Sequence, residues 1–165
     1  MRPHLLLAFL ALALALALAL AACVNTDAAV FVEPSITNPT AVVKGGALGT
    51  TIAGTFTLDL HLGPRASGPS TVDLRDFTIL DAKQSGTLAP IEISKSSITF
   101  PTTVDLDSDV TSDLTFDVGT KTLTSATRTK LCDPAGVILG GTIQDSLQAT
   151  ATPFFSPIVH PTGCP

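Results

Sequence analysis

Between residues 50 and 62 the chain reads TTIAGTFTLDLHL, with Ile52, Phe56, Leu58, Leu60 and Leu62 in one phase and Thr55, Thr57, Asp59 and His61 in the other. Successive side chains of an extended chain point to opposite faces, so this alternation predicts a half-buried antiparallel strand. A second run, TVDLRDFTILD at residues 71–81, carries Val72 and Leu74 in one phase but Phe77 and Ile79 in the other. A change of parity inside a strand requires an extra residue, which predicts a β-bulge at Arg75 and Asp76. Further strands are expected at residues 91–100, 113–118, 122–132 and 137–147, with no helix of ordinary length among them.

Turn chemistry divides these runs. Asp133, Pro134, Ala135 and Gly136 place Asp first, Pro second and Gly fourth in a type I turn. That turn predicts a hairpin between the last two strands and puts Cys132 at a strand end. The closing segment ATPFFSPIVHPTGCP has Pro at 153, 157, 161 and 165, which excludes a central strand because Pro cannot donate to the ladder. It is expected to wrap along an edge, held by Phe154, Phe155 and Ile158. The stretch VVKGGALG, residues 42–49, lacks the G-x-x-x-x-G-K-[ST] spacing of a phosphate-binding loop and reads as a flexible connection. Together these patterns predict an all-β fold, an antiparallel β-sandwich of immunoglobulin-like or related topology, in a single domain over residues 30–165.

The N-terminal pattern is of another kind. From Leu5 to Ala22 every residue is Leu, Ala or Phe, close to the shortest helix that can span a bilayer. Arg2 precedes the run, small residues end it, and no Lys or Arg follows until Lys44. This is the layout of an export signal rather than of a stop-transfer span. Leu20, Ala21, Ala22 and Cys23 resemble the lipobox of bacterial lipoproteins: an aliphatic residue, two small residues, then cysteine. The resemblance is confined to the first 23 residues. It implies a signal peptide over residues 1–22, cleavage before Cys23, and lipidation of the Cys23 thiol with diacylglycerol and palmitate-type chains. One acyl chain binds a membrane marginally, whereas two or three anchor it stably. In this class an aspartate after the cysteine favours the inner membrane. Val24 therefore points to the outer membrane of the cell envelope. Residues 23–29, CVNTDAA, are expected to form a flexible tether.

Charge and composition exclude several partners. The formal net charge of the 165-residue chain is −5, and loss of Arg2 makes it one more negative. Nucleic acid and anionic lipid surfaces need clustered positive charge, so neither is an expected partner. There is no Trp or Tyr, and all eight aromatics are Phe. That composition weakens sugar-binding platforms and tight protein-binding patches, both of which favour amphipathic rings. With Cys23 lipidated, Cys132 and Cys164 remain as an even pair in an oxidising compartment and are expected to form a disulfide.

Candidate chemistry is sparse. DLDSDVTSD sets Asp105, Asp107, Asp109 and Asp113 close together. Alternate aspartates suggest a calcium loop, but Val110 stands where the turn glycine belongs and Phe116 where the closing glutamate belongs. The four residues are thus weak metal candidates beside the plainer reading of a solvated acidic strand and loop. Beyond the signal the histidines are His61, on the polar strand face beside Asp59, and His160 in the Pro-rich tail. Two are too few for a transition-metal cluster, and no serine sits in a G-x-S-x-G context. The expectation is a protein without catalytic residues, cofactor or metal. It would be a structural or protein-interaction domain anchored in the envelope membrane, with an envelope protein as partner. The alternative is a domain that binds a small ligand or calcium.

Overall fold

The computed structural model describes residues 27–46 and 49–164. The expected signal peptide and the lipidation site Cys23 lie outside the described residues. The elements run β1 (Glu33–Gly46), β2 (Gly49–Leu62), β3 (Ser70–Asp81), β4 (Thr87–Ser96), β5 (Thr102–Val104), β6 (Ser108–Asp117), α1 (Ser125–Leu131), β7 (Val137–Asp145) and β8 (Thr152–Phe155).

Strand β2 realises its alternation. Phe56, Leu58, Leu60 and Leu62 are buried on one face, and Thr55 and Thr57 look outward or sideways on the other. In β3 the pairing with β7 slips between Arg75 and Phe77. Asp76 is therefore the extra residue. The slip lets Val72 before it and Ile79 after it both reach the core, each fully buried. The bulge follows from burial, since without it one half of β3 would turn its apolar residues to water.

All strand pairings are antiparallel, and the sheet order is β1-β2-β6-β4-β3-β7-β8 with β5 beside β3. The corner is β4. Residues Thr87–Ile91 pair with β3, and residues Glu92–Ser96 pair with β6. The sheet curls about this strand into an antiparallel half-barrel. Phe56 from one limb lies 5.9 Å from Phe77 on the other, ring centre to ring centre, and Phe77 meets Phe154 edge-on at 5.8 Å. Strand β1 is an edge, and Pro34 and Pro39 blunt it because neither offers a donor to a further strand. Gly54 of β2 is dictated by close approach: a Cβ there would collide with the Thr40 carbonyl and lie 2.7 Å from the Phe116 ring.

The segment after β8 joins the two limbs. Val159 and Val137 exchange both backbone hydrogen bonds at 2.8 Å. Three residues on, the Val43 N–H donates to the Thr162 carbonyl at 2.8 Å and the Thr162 N–H to the Ala41 carbonyl at 2.9 Å. The Cys132–Cys164 disulfide then fastens the chain end to the residue that caps α1, with the two Cα atoms 5.6 Å apart.

The structure differs from the sequence pattern in several places. Residues 122–132 are not a strand: α1 occupies Ser125–Leu131, its Thr124 cap accepting the Thr127 N–H at 3.1 Å, with Arg128 and Lys130 near its negative end. The threonines there suggested extended chain. One buried residue, Leu131, together with an N-cap, outweighs that propensity. The Asp133–Gly136 turn forms, with the Gly136 N–H on the Asp133 carbonyl at 2.9 Å, but it links a helix to β7 rather than closing a hairpin. Residues 42–46, read as a connection, belong to β1. The other expected strands shift: β4 ends at Ser96, β6 begins at Ser108, and β7 ends at Asp145. Nor are residues 27–29 loose: Ala29 is buried and its N–H donates to the Asp27 carboxylate at 3.0 Å.

Candidate functional site

Strands β2 and β6 lie side by side with His61 opposite Asp109, Asp59 opposite Thr111 and Thr57 opposite Asp113. Directly opposed side chains on one face of a sheet are within contact distance. Each pair accordingly forms a hydrogen bond. Thr57 Oγ1 donates to Asp113 at 2.8 Å, and Thr111 Oγ1 donates to Asp59 at 2.9 Å. From β1, Thr37 Oγ1 donates to the other oxygen of Asp59 at 3.0 Å. The polar face is a cross-strand ladder of hydroxyls and carboxylates.

Its most distinctive rung is at the end. His61 Nδ1 lies 2.7 Å from Asp109, while His61 Nε2 lies 2.8 Å from Asp27, a residue of the chain ahead of β1. An imidazole donates from both nitrogens only when protonated, so two flanking carboxylates favour the cation. The Asp27 hydrogen bond, followed by that of Asp109, accordingly raises the His61 pKa above its ordinary value, against a smaller opposing effect of burial. The Asp27 carboxyl is held below its ordinary range, chiefly by the Ala29 N–H and then by His61.

This geometry limits the chemistry. A general base needs a free nitrogen aimed at the proton it removes. Both nitrogens of His61 are engaged, and the two carboxylates flank opposite sides of the ring rather than converging on one point. His160 stands apart, exposed in the C-terminal segment. Among the described residues no group of three or more His, Cys, Asp or Glu side chains is arranged to hold a metal ion.

The four candidate aspartates are dispersed. Asp109 is on His61 and Asp113 on Thr57. Asp105 and Asp107 lie in the turn before β6, where the Asp105 carbonyl accepts Ser108 Oγ at 2.7 Å. Asp107 adopts a φ of 54°, a left-handed conformation that Asp tolerates better than most residues. These positions serve the turn and the ladder, and the four carboxylates do not share a centre.

No family model, curated protein or solved structure matches the chain.

Two further polar groups were not legible as anything particular in the sequence. Asp145, at the end of β7, is fully buried and accepts four hydrogen bonds: from the Val32 N–H at 3.0 Å, Ser70 Oγ at 2.7 Å, the Leu147 N–H at 2.7 Å and Gln148 Nε2 at 3.1 Å. The local signal was an Asp at a strand end before Ser-Leu-Gln, a common turn former. Nothing local announced its reach to Val32 and Ser70. Asp81, the last residue of β3, accepts Ser85 Oγ at 2.6 Å and the N–H groups of Ser85 and Lys83 in the loop that leads to β4. The Ser85 hydroxyl, foremost among these, lowers its pKa. The loop forms one wall of an open cleft of about 420 Å³, facing Lys130 and the Asp133–Gly136 turn. Asp81 is committed to shaping that loop.

Proposed function

We propose that this protein is a non-catalytic lipoprotein of the bacterial cell envelope, acylated at Cys23, whose β domain serves as a structural or protein-interaction module at the outer membrane. The observation that carries the reading is the lipobox Leu20-Ala21-Ala22-Cys23 at the end of an apolar run with Arg2 ahead of it. The occupied nitrogens of His61 agree with a role without catalysis, since the polar face uses its carboxylates and hydroxyls on one another. Among the described residues no helix is long and apolar enough to cross a membrane. In this reading the two limbs of the sheet act as the layers of a sandwich of immunoglobulin-like or related type, with β4 passing from one to the other. The Phe56–Phe77 contact across the core supports it.

Membrane fractionation with a labelled fatty acid tests the anchor. The wild type is expected to take up label and sediment with membranes, and Cys23→Ser to be unlabelled and either soluble or uncleaved. An unlabelled wild type overturns the proposal.

A further inference from the structure

Apolar residues gather at one end of the sheet. Strand β1 starts there at Glu33, opposite His61 near the end of β2. Strand β6 starts there at Ser108, opposite Leu62. Val30 and Phe31 precede β1 and are 43% and 42% exposed, although Ala29 and Val32 on either side are buried. Leu106, in the turn leading into β6, is 42% exposed at the same end. Two adjacent bulky apolar side chains between two buried residues are held outward by the backbone, in a place where water is a poor solvent for them.

The chain bearing them is fixed close to the proposed anchor. Asp27 is tied to His61 and to the Ala29 N–H, and it stands four residues after Cys23 in the sequence. Four residue steps span at most about 14 Å. A domain whose acyl chains are buried in a bilayer on so short a lead must present this end to the lipid surface. The charges around it select the lipid. Glu33, Asp105, Asp107 and Asp109 lie at this end with Arg65, and the chain as a whole is at −5. An anionic surface is therefore disfavoured, and a neutral headgroup layer is not.

We infer that Val30, Phe31 and Leu106 rest in the headgroup interface of a zwitterionic bilayer, so that the domain stands on this end of its sheet beside its own lipid anchor. The inference depends on the proposed acylation of Cys23. It adds an orientation: the β3–β4 loop and the start of β7 face away from the membrane.

The absence of Trp makes a direct test possible, because a single introduced indole reports without background. The full-length lipidated protein is reconstituted in phosphatidylcholine vesicles, with and without acyl-chain bromination, carrying Phe31→Trp, Val30→Trp or Ile158→Trp. Ile158 is 52% exposed beside Gly136, at the opposite end of β7 from Asp145, about 26 Å away at strand rise. Interfacial burial predicts roughly twofold quenching by brominated lipid for Phe31→Trp, and the same for Val30→Trp should the first substitution disturb folding. Ile158→Trp is expected to be unquenched. Replacing half of the lipid with phosphatidylglycerol should reduce the quenching, and an increase would overturn the assignment to neutral lipid. Vesicle flotation and the mass of the Cys23 peptide are read on the same samples. Protein that floats acylated, with all three variants equally unquenched, overturns the docking inference alone. Protein that carries no acyl mass and does not float overturns the anchoring as well, and the inference with it.

Discussion

The Asp145 carboxylate accepts the backbone N–H of Val32 at 3.0 Å across 113 residues of sequence. The bond joins the end of β7 to the chain just ahead of β1. The other oxygen of Asp145 meanwhile accepts Ser70 Oγ, at the start of β3. One buried side chain thus satisfies donors from three separated stretches of chain at one end of the sheet.

Asp145→Ala should accordingly be among the most damaging substitutions in the domain. It leaves the Val32 and Leu147 N–H groups and the Ser70 hydroxyl without this acceptor, while Gln148 Nε2 keeps its bond to Thr152 Oγ1. Buried donors stranded in this way cost about 1 to 3 kcal/mol each where water cannot reach them. A loss of about 3 kcal/mol or more is expected in urea titration, as a lower midpoint at unchanged slope. Asp145→Asn, which keeps one acceptor oxygen, should lose less. Equal stability of Asp145→Ala and wild type would refute this role.

The His61 bridge predicts a pH dependence of definite sign. Its folded pKa is raised, so its contribution is fully present below the ordinary value of about 6.5 and is lost as pH climbs through the folded value. Asp27 is lowered, so its contribution is present above about 3.8 and is lost on acidification. Besides these two, Asp109 touches His61 directly and Arg65 acts on Asp27 through space. The melting temperature of wild type should exceed that of His61→Gln most clearly near pH 5 to 6, and the gap should narrow towards pH 9. A gap that widens as pH rises would contradict the bridge.

The chain end should respond locally when the disulfide is removed. A cross-link across 32 residues stabilises by about 3 to 4 kcal/mol in the chain-entropy picture. Cys132→Ser with Cys164→Ser is expected to lose stability on that scale. It should also speed amide exchange at Thr162 and Val43, where the tail is bonded to β1. Gly163→Ala should mimic the local effect with the disulfide intact, because its φ of 76° favours glycine and a Cβ would strike the Val43 carbonyl. Unchanged exchange at Thr162 in both proteins would show that the segment is held by other contacts.

Calcium should do little. A site filled at a hundred times its Kd would add about 2.7 kcal/mol and raise the melting temperature by several degrees. Asp109 and Asp113 are already bonded to His61 and Thr57, and Asp105 and Asp107 belong to the turn. The expected shift at millimolar calcium is within error. A rise of several degrees in calcium but not magnesium, lost in Asp107→Asn, would restore the ligand-binding alternative.

Local pattern alone determined a good deal of this protein. Period-two alternation in residues 50–62 located β2, the parity change at Arg75 and Asp76 located the bulge of β3, and the even pair Cys132 and Cys164 foretold the disulfide. Each of these signals sits within one strand or one composition, so short stretches of chain suffice to express it. Tertiary structure decided the rest. Within the expected strand 122–132, residues Ser125–Leu131 became α1 because Leu131 had a core to enter and Thr124 an N–H to cap. His61 acquired its two carboxylates because β2 and β6 pair in one register and Asp27 folds back over them. Asp145 became a hub because Val32 and Ser70 converge on it from distant stretches of the chain. Strand register and chain return are set by the burial of the whole apolar face, a sum over many residues to which any single segment contributes only its share.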